Sequence, residues 1–262
     1  MIKISHETPK CLLKDSKHFC DYQYALVHLL EEDKEYRSHF IKCRDEGTPI
    51  YLDNSLHELG YAVGGEILQK WVNILKPKYV FVPDVWEDKN ETLINALHWI
   101  NYDYPRNTTP IAVVQAKSYE EAQECYLEFK SIGYKKIAFS YGASYYNDLS
   151  KHPNKDIGKA LGRITTISKL FDSGVITETD KIHLLGCASP FEFSLYKDMP
   201  FIDSIDTSNP VMAALEGKKY NHSLVMDKPK ANMNSFFNIS LGKIDLELVK
   251  YNTNKFISFL EV

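Results

Sequence analysis

The sequence predicts an α/β protein of the TIM-type (β/α)8 barrel class, regular or irregular, with a C-terminal helical extension. Two observations lead there. Short apolar, β-branched runs alternate with helical stretches, which is the pattern of parallel strands joined by helical crossovers. The runs are also apolar throughout rather than alternating in and out, as suits strands covered on both faces. Six or seven such units favour a barrel; the runner-up is an open doubly wound sheet. No strand is followed by G-x-G-x-x-G or G-x-x-x-x-G-K-[ST], so neither a dinucleotide fingerprint nor a P-loop supports the open sheet.

The predicted strands are Ile50–Asp53, Tyr79–Asp84, Ile111–Gln115, Ile137–Tyr141, Ile182–Gly186 and Phe201–Asp206, with Ile2–Ser5 as a further candidate. The stretch Cys11–Lys42 either hides another strand or is mostly helical. Leu59, Val63, Ile67 and Trp71 recur every four residues and predict a helix over Leu56–Leu75, stopped by Pro77. Similar stripes predict helices over Glu91–Ile100, Ser118–Ile132 and Asp156–Phe171. Ser118-x-x-Glu121 reads as a capping box and Gly133 as a C-cap. From Leu215 the chain turns basic, and an amphipathic helix near Asp245–Leu260 is expected to pack on the barrel. Residues 1–262 then form one domain, with 215–262 as its basic extension.

Composition narrows the function classes. With 44% hydrophobic and 25% charged residues among 262, the chain is neither disordered nor a disulfide scaffold. No apolar run approaches the ~20 residues of a membrane span, and no apolar segment after Met1 reads as a secretory signal. The five cysteines have no C-x-x-C spacing, so free thiols in a cytoplasmic protein are expected, without a metal cluster. A net charge of -4 argues against an overall basic coat but not against a local one.

In a barrel the C-terminal strand ends surround the active site. Here they carry Asp53, Asp84, Gln115, Ser140, Tyr141, Gly186 and Asp206, a polar set that a purely structural barrel does not need. Plainer readings stand beside it. Asp206-Thr207-Ser208-Asn209-Pro210 also reads as a helix cap with proline in the first turn, and Asp53-Asn54-Ser55 as another cap. Asp84 before Trp86-Glu87-Asp88 also reads as a solvated loop acid. His183 reads as a core histidine and His57 as a helix-surface residue. Two separated carboxylates suit substitution at an anomeric carbon, one attacking C1′ and the other managing the leaving group's proton. An amide and a third acid then suit the hydrogen-bonding edge of a heterocyclic base.

These residues resemble the tRNA-guanine transglycosylases and their relatives that insert 7-deazaguanines into DNA. The resemblance runs collinearly from about Ile50 to Pro210. Asp53-Asn54-Ser55-Leu56-His57-Glu58 resembles the family's Asp-Ser-Gly-Gly-Phe-Gln turn, and Asp84 stands where its base-recognition aspartate follows a strand. Val114-Gln115-Ala116-Lys117 resembles its Val-Gln-Gly-Gly. Ser140-Tyr141-Gly142-Ala143 resembles its glycine-rich base loop, and His183-Leu184-Leu185-Gly186 its His/Tyr-Leu-Met-Gly strand. Asp206-Thr207-Ser208-Asn209-Pro210 has the spacing of its nucleophile motif Asp-x-x-x-Pro. The family's double glycine is absent. So is the tRNA enzymes' zinc site of three cysteines and a histidine, because the last cysteine here is Cys187. That loss resembles the shorter, zinc-less DNA-guanine branch of phages and bacteria.

The resemblance implies double displacement without cofactor or metal. Asp206 would be the nucleophile, with Asp203 as alternative, and Asp53 the general acid/base. Asp84, Gln115, Ser140, Tyr141, Gly142 and Gly186 would hold the base, with Tyr141 as a stacking face. DNA is the expected partner, tRNA the second choice, and the incoming base a 7-deazaguanine such as preQ0 or preQ1. Phosphates would meet Lys151, Lys155, Lys159, Arg163 and the lysines at 218, 219, 228, 230, 243, 250 and 255. Two other readings stay open: a small-molecule nucleoside or base enzyme, and a barrel that binds a base or nucleic acid without catalysis.

Overall fold

A computed structural model describes residues 2–187, 189–221, 229–230 and 233–260. Eight parallel strands run β1 (Lys3–His6), β2 (Gln23–Leu26), β3 (Ile50–Asp53), β4 (Tyr79–Phe81), β5 (Thr109–Val114), β6 (Ile137–Ser140), β7 (Ile182–Leu185) and β8 (Ile202–Thr207). Their order, β1-β8-β7-β6-β5-β4-β3-β2, pairs each strand with its sequence neighbours, and β1 pairs with β8. At the remaining seam the Asp21 backbone N–H donates to the Ile4 carbonyl (2.8 Å), and the Asp21 carboxylate accepts from the Ile4 N–H (2.8 Å). Helices alternate with the strands, so this is a nearly closed (β/α)8 barrel, as the alternation predicts.

The strand residues bury both ways. Tyr51, Phe81, Val113 and Ala138 point inward, where with Tyr22 and Ile111 they fill the barrel. Their neighbours Leu52, Val80, Val82, Ala112, Val114, Ile137, Phe139 and Leu184 point outward into the layer under the helices. The strand missing from the sequence reading is β2. It is four residues long, opens on Gln23, and follows two short 3-10 turns inside the stretch 11–42, which also holds helices Val27–Glu32 and Lys34–Asp45.

The helix expected over Leu56–Leu75 is two helices. Leu56–Leu59 makes one turn and ends at Gly60 (φ +79°), and Gly65–Leu75 follows. Gly60, Gly64 and Gly65 disfavour helix more strongly than the apolar stripe favours it. The Ser118 hydroxyl caps Tyr119–Ile132 by accepting from the Glu121 N–H, and Gly133 closes it at φ +111°. The Glu121 carboxylate reaches back to the Lys117 N–H rather than that of Ser118, one residue beyond the usual box. Helix Lys155–Asp172 starts on the Asn154 cap. The last helix, Leu246–Ser258, is tied to Asn209–Leu215 by Asn252, which donates to the Pro210 and Lys218 carbonyls and accepts from the Tyr220 N–H. Val249 joins Leu12, Val211, Met212 and Met233 in a small apolar cluster beneath it.

Arg163 is fully buried. Its guanidinium ion-pairs with Glu192 and donates to the carbonyls of Phe139 (3.3 Å), Leu185 (2.9 Å) and Gly186 (2.7 Å). It is a structural cation, not one of the phosphate-facing charges expected for it. Removing one member of such a pair leaves an uncompensated buried charge. Arg163→Met is therefore expected to lower the urea-unfolding free energy by ~3–5 kcal/mol. The double replacement Arg163→Met, Glu192→Leu should recover part of that loss. Additive losses in the double-mutant cycle would show that the pair is not coupled.

Candidate active site

The C-terminal strand ends open into a cleft of about 630 Å³. Its lining includes Asp53, Asp84, Gln115, Ser140, Tyr141, Gly142, Gly186 and Asp206, so the structure brings together every strand-end residue picked out from the sequence. Asp203 is not among them. It sits at the other end of β8, where a register irregularity between β7 and β8 accompanies its ion pair with Lys136. That corrects its candidacy as nucleophile: three residues along a strand is ~10 Å, and Asp203 lies at the barrel floor.

Asp206 is held by two donors. The Gly186 backbone N–H reaches both carboxylate oxygens (3.3 and 3.2 Å). His183 Nε2 lies 3.0 Å from Oδ1. Gly186 can present its N–H because it adopts φ +69°, a conformation a side chain would strain. A helix does start in this segment, Asn209–Leu215 with Pro210 in its first turn, but Asp206 does not cap it: the Thr207 hydroxyl accepts the Asn209 N–H.

His183 is the residue that the sequence reading undervalued. Its Nδ1 lies 2.8 Å from the Ser204 hydroxyl, which receives Lys136 Nζ at 2.6 Å. An ammonium can only donate. The Asp206 carboxylate can only accept, so the proton of the neutral His183 ring lies on Nε2, aimed at Asp206, and Nδ1 accepts from the Ser204 hydroxyl. Burial lowers the His183 pKa, which favours the neutral ring. Lys136 is only 1% exposed, lies 4.3 Å from the Tyr79 ring centroid and 4.9 Å from that of Tyr51, and is drawn down by burial to about 8. A polar chain thus runs up the barrel interior from Asp203 and Lys136 through Ser204 and His183 to Asp206.

Asp53 occupies a different environment. It is buried, accepts from the Tyr24 hydroxyl (3.0 Å) and the Ser55 N–H (2.8 Å), and its pKa is raised well above the usual carboxylate range by burial and then by the charge of Glu58. Ser55 takes a left-handed conformation (φ +64°) to complete this turn. Glu7, just past β1, and Glu58 complete a group of four carboxyls. Burial and the neighbouring carboxylates lift Glu7 to about 8, and burial also raises Glu58, whose Oε2 is a buried oxygen without a hydrogen-bond partner. Among the described residues, no three His, Cys, Asp or Glu side chains are placed to hold a metal ion. The strand-end rule points to Glu7 only through the observed bounds, since it directly follows β1 (Lys3–His6) and lies two residues past the candidate strand Ile2–Ser5.

Asp84 and Gln115 form a second group. Gln115 Nε2 donates to Asp84 Oδ2 (2.6 Å), and Asn54 Nδ2 donates to Asp84 Oδ1 and the Val82 carbonyl (both 2.8 Å). The Glu87 N–H fixes the other end of the Gln115 amide (2.9 Å). Burial raises the Asp84 pKa to about 6 against these donors. Asp84 is therefore no solvated loop acid. Ser140 accepts from the Gly142 N–H (3.2 Å). The Tyr141 hydroxyl donates to Asp156 (3.0 Å), while Lys159 and Arg163 stand 5.7 and 5.6 Å from its ring. The ring packs against those cations, which counts against Tyr141 as a stacking face. His57 is exposed at the cleft edge.

Of the cations expected to meet phosphate, Lys230 lines the cleft. Lys159 donates to the Gly142 carbonyl, Lys218 and Lys250 pair with Glu216 and Glu247, and Lys219 and Lys255 lie against Tyr251 and Phe259. Lys151 and Lys155 edge a separate shallow depression and Lys243 is exposed; Lys228 lies outside the described residues. No protein-family model matches this sequence, and no curated protein matches it.

Two outcomes follow from this geometry. Glu7 is raised on folding, so its contribution to stability is present below its unfolded pKa, near 4.5, and lost as pH rises through about 8. The thermal stability of the parent should fall between pH 5 and 8, and Glu7→Gln should flatten that slope by about one proton. Parallel profiles would remove Glu7 from the titrating group. The polar chain predicts that Asp206→Ala releases the tautomer of His183. Nitrogen-15 NMR should find the proton on Nε2 in the parent and a mixed ring in the variant; identical ring shifts would show that Asp206 does not place that proton.

Proposed function

We propose that the cleft catalyses substitution at the anomeric carbon of a nucleoside. It replaces guanine in a polynucleotide, DNA before tRNA, with a 7-deazaguanine base such as preQ0 or preQ1. The observation that carries this reading is the division between two carboxyl groups at one cleft. Asp206 lines the cleft half-buried, within reach of a substrate, and is oriented by two N–H donors. Asp53 is buried, and its raised pKa keeps a proton available. A buried carboxyl that holds its proton, beside another oriented toward the substrate, suits the division into acid and nucleophile.

The steps balance on these residues. An Asp206 carboxylate oxygen bonds to C1′ as the bond from C1′ to N9 breaks, and its electron pair leaves with guanine, which takes a proton from Asp53. Guanine departs. The incoming 7-deazaguanine gives its N9 proton to Asp53, and its nitrogen bonds to C1′ and releases Asp206. Asp84 and Gln115 suit the donor-and-acceptor edge of such a base, because a base with the wrong pattern leaves buried groups unpaired. A target within a duplex must first be flipped out of the stack, at a few kcal/mol.

One observation favours the small-molecule reading, a nucleoside or free-base enzyme. Glu7, Asp53, Glu58 and Asp206 gather at a mouth where phosphates would have to pass, and Arg163 is withdrawn into the core. Exchange of labelled guanine, preQ0 and preQ1 into DNA, tRNA and free guanosine separates these readings. Asp206→Asn should abolish exchange, by 10³-fold or more on the order of one lost nucleophile, while leaving base binding intact. Incorporation into guanosine alone moves the substrate to a small molecule. Exchange that survives Asp206→Asn removes Asp206 as the nucleophile.

A further inference from the structure

Trp86 lines the cleft, and the proposed chemistry gives it no task. Trp71 and Trp99 are 2% and 3% exposed, whereas Trp86 is 40% exposed and lines the cleft two residues after Asp84. Large aromatic rings left open beside convergent polar groups mark ligand contacts more often than packing.

The ring is carried on a fixed loop. Before it, the Val85 N–H donates to the Thr92 hydroxyl (3.0 Å). After it, Glu87 adopts φ +53° and donates its N–H to the Gln115 side-chain oxygen (2.9 Å), while its carboxylate accepts from the Ser144 N–H (2.7 Å). The same Gln115 amide holds Asp84. The position of Trp86 is thus coupled to the pair that suits a base edge.

Gly142 sets the ring's other side. A Cβ there would lie 2.3 Å from Trp86 Cη2 and 3.0 Å from Cζ2, closer than any real side chain sits. The benzo rim of the indole therefore rests over bare backbone, and residue 142 is glycine for this close approach, not for an unusual φ. Tyr141, the other aromatic candidate, is engaged by Asp156 and by two cations.

We propose that Trp86 is the stacking platform for the aromatic heterocycle whose edge Asp84 and Gln115 read, with Gly142 fixing where that platform lies. This rests on the reading of the cleft as a purine-type base site, but not on any exchange reaction. Stacking on an indole accepts every heterocycle with a π face. Trp86 therefore supplies affinity, and Asp84 with Gln115 supplies the choice among bases.

Because the other two tryptophans are buried, Trp86 reports on its own face. Titration of the full chain with guanine and with 7-deazaguanine, followed by tryptophan fluorescence and by calorimetry, is expected to show quenching that tracks binding. Trp86→Phe should lose the quench while keeping most of the affinity. Trp86→Ala should raise Kd by roughly 5- to 150-fold, the range of one lost stacking contact. Gly142→Ala should displace the indole, changing the emission of the free protein and weakening the base.

Calorimetric binding with unchanged parent fluorescence overturns the platform. So does a Trp86→Ala variant, folded by circular dichroism, that binds as the parent does, or failure of both bases to bind the parent. Quenching and binding without exchange in DNA, tRNA or guanosine would sink the transglycosylase reading and leave the platform standing. Exchange with binding indifferent to Trp86 would do the reverse.

Discussion

The site depends on a guanidinium that never touches the cleft. Arg163 binds the carbonyls at the ends of β6 and β7, where the sheet gives way to loops; that of Leu185 also accepts from the Tyr141 N–H (2.9 Å). Glu192 neutralises it, and the Tyr196 hydroxyl fills a further acceptor position (3.2 Å). One of the bound carbonyls belongs to Gly186, whose N–H faces the opposite way, toward Asp206. The peptide planes around Gly186 are thus clamped from the helix layer, and the donor that orients Asp206 is fixed by a charge buried behind it. Helix Lys155–Asp172, which carries Arg163, also approaches Tyr146 so closely that a Cβ at Gly162 would lie 2.2 Å from its carbonyl oxygen. The two constraints act together: Gly162 lets the helix come in, and Arg163 uses the short distance.

The barrel interior is less apolar than its strands suggest. Tyrosines and phenylalanine fill it, but His183, Ser204 and Lys136 form a polar file through them. Burying such groups is tolerable only when each finds partners. Here each does, and satisfaction fixes direction: the ammonium donates, the hydroxyl passes its proton on, and the imidazole presents Nε2–H at the mouth. The floor and mouth of the barrel are therefore chemically linked, although strand-end reasoning treats only the mouth as functional. The charge layout follows the same axis. Burial works against the Asp203 carboxylate, yet Lys136, Lys3 and Lys181 hold its pKa below the usual range at the floor, whereas Glu7 and Asp53 at the mouth are raised.

The parts of this arrangement legible in the sequence were those written in local patterns. β3 was read at its observed bounds because four buried residues end in a polar one. The strand-end residues Asp53, Asp84, Gln115 and Asp206 followed from the same break. β2 was hidden because Gln23-Tyr24-Ala25-Leu26 is too short to show a period, and its identity comes from pairing with β3. The helix over Leu56–Leu75 was overextended because four apolar residues at regular spacing outweighed three glycines. Arg163 and Lys136 were not legible as structural cations, since nothing local distinguishes a buried, paired cation from a solvated one. His183 sat in an apolar strand, and its role exists only through Ser204 and Asp206 on the next strand.

The acid group at the mouth imposes a condition on any substrate. Burial and neighbouring carboxylates raise Glu7 to about 8 and lift Asp53 well above the usual carboxylate range, so the site holds protons near neutral pH. A ligand that brings a positive group there would favour releasing them, whereas an anionic ligand would favour keeping them. Phosphates approaching the mouth thus meet a cleft that is least hostile when Glu7 and Asp53 are protonated. The same protonation arms Asp53 as an acid toward a departing base. Binding of a polyanion and readiness for the chemical step then have the same sign of pH dependence, both lost as the carboxyls ionise. A neutral free base or nucleoside lacks the first of these terms and feels only the second.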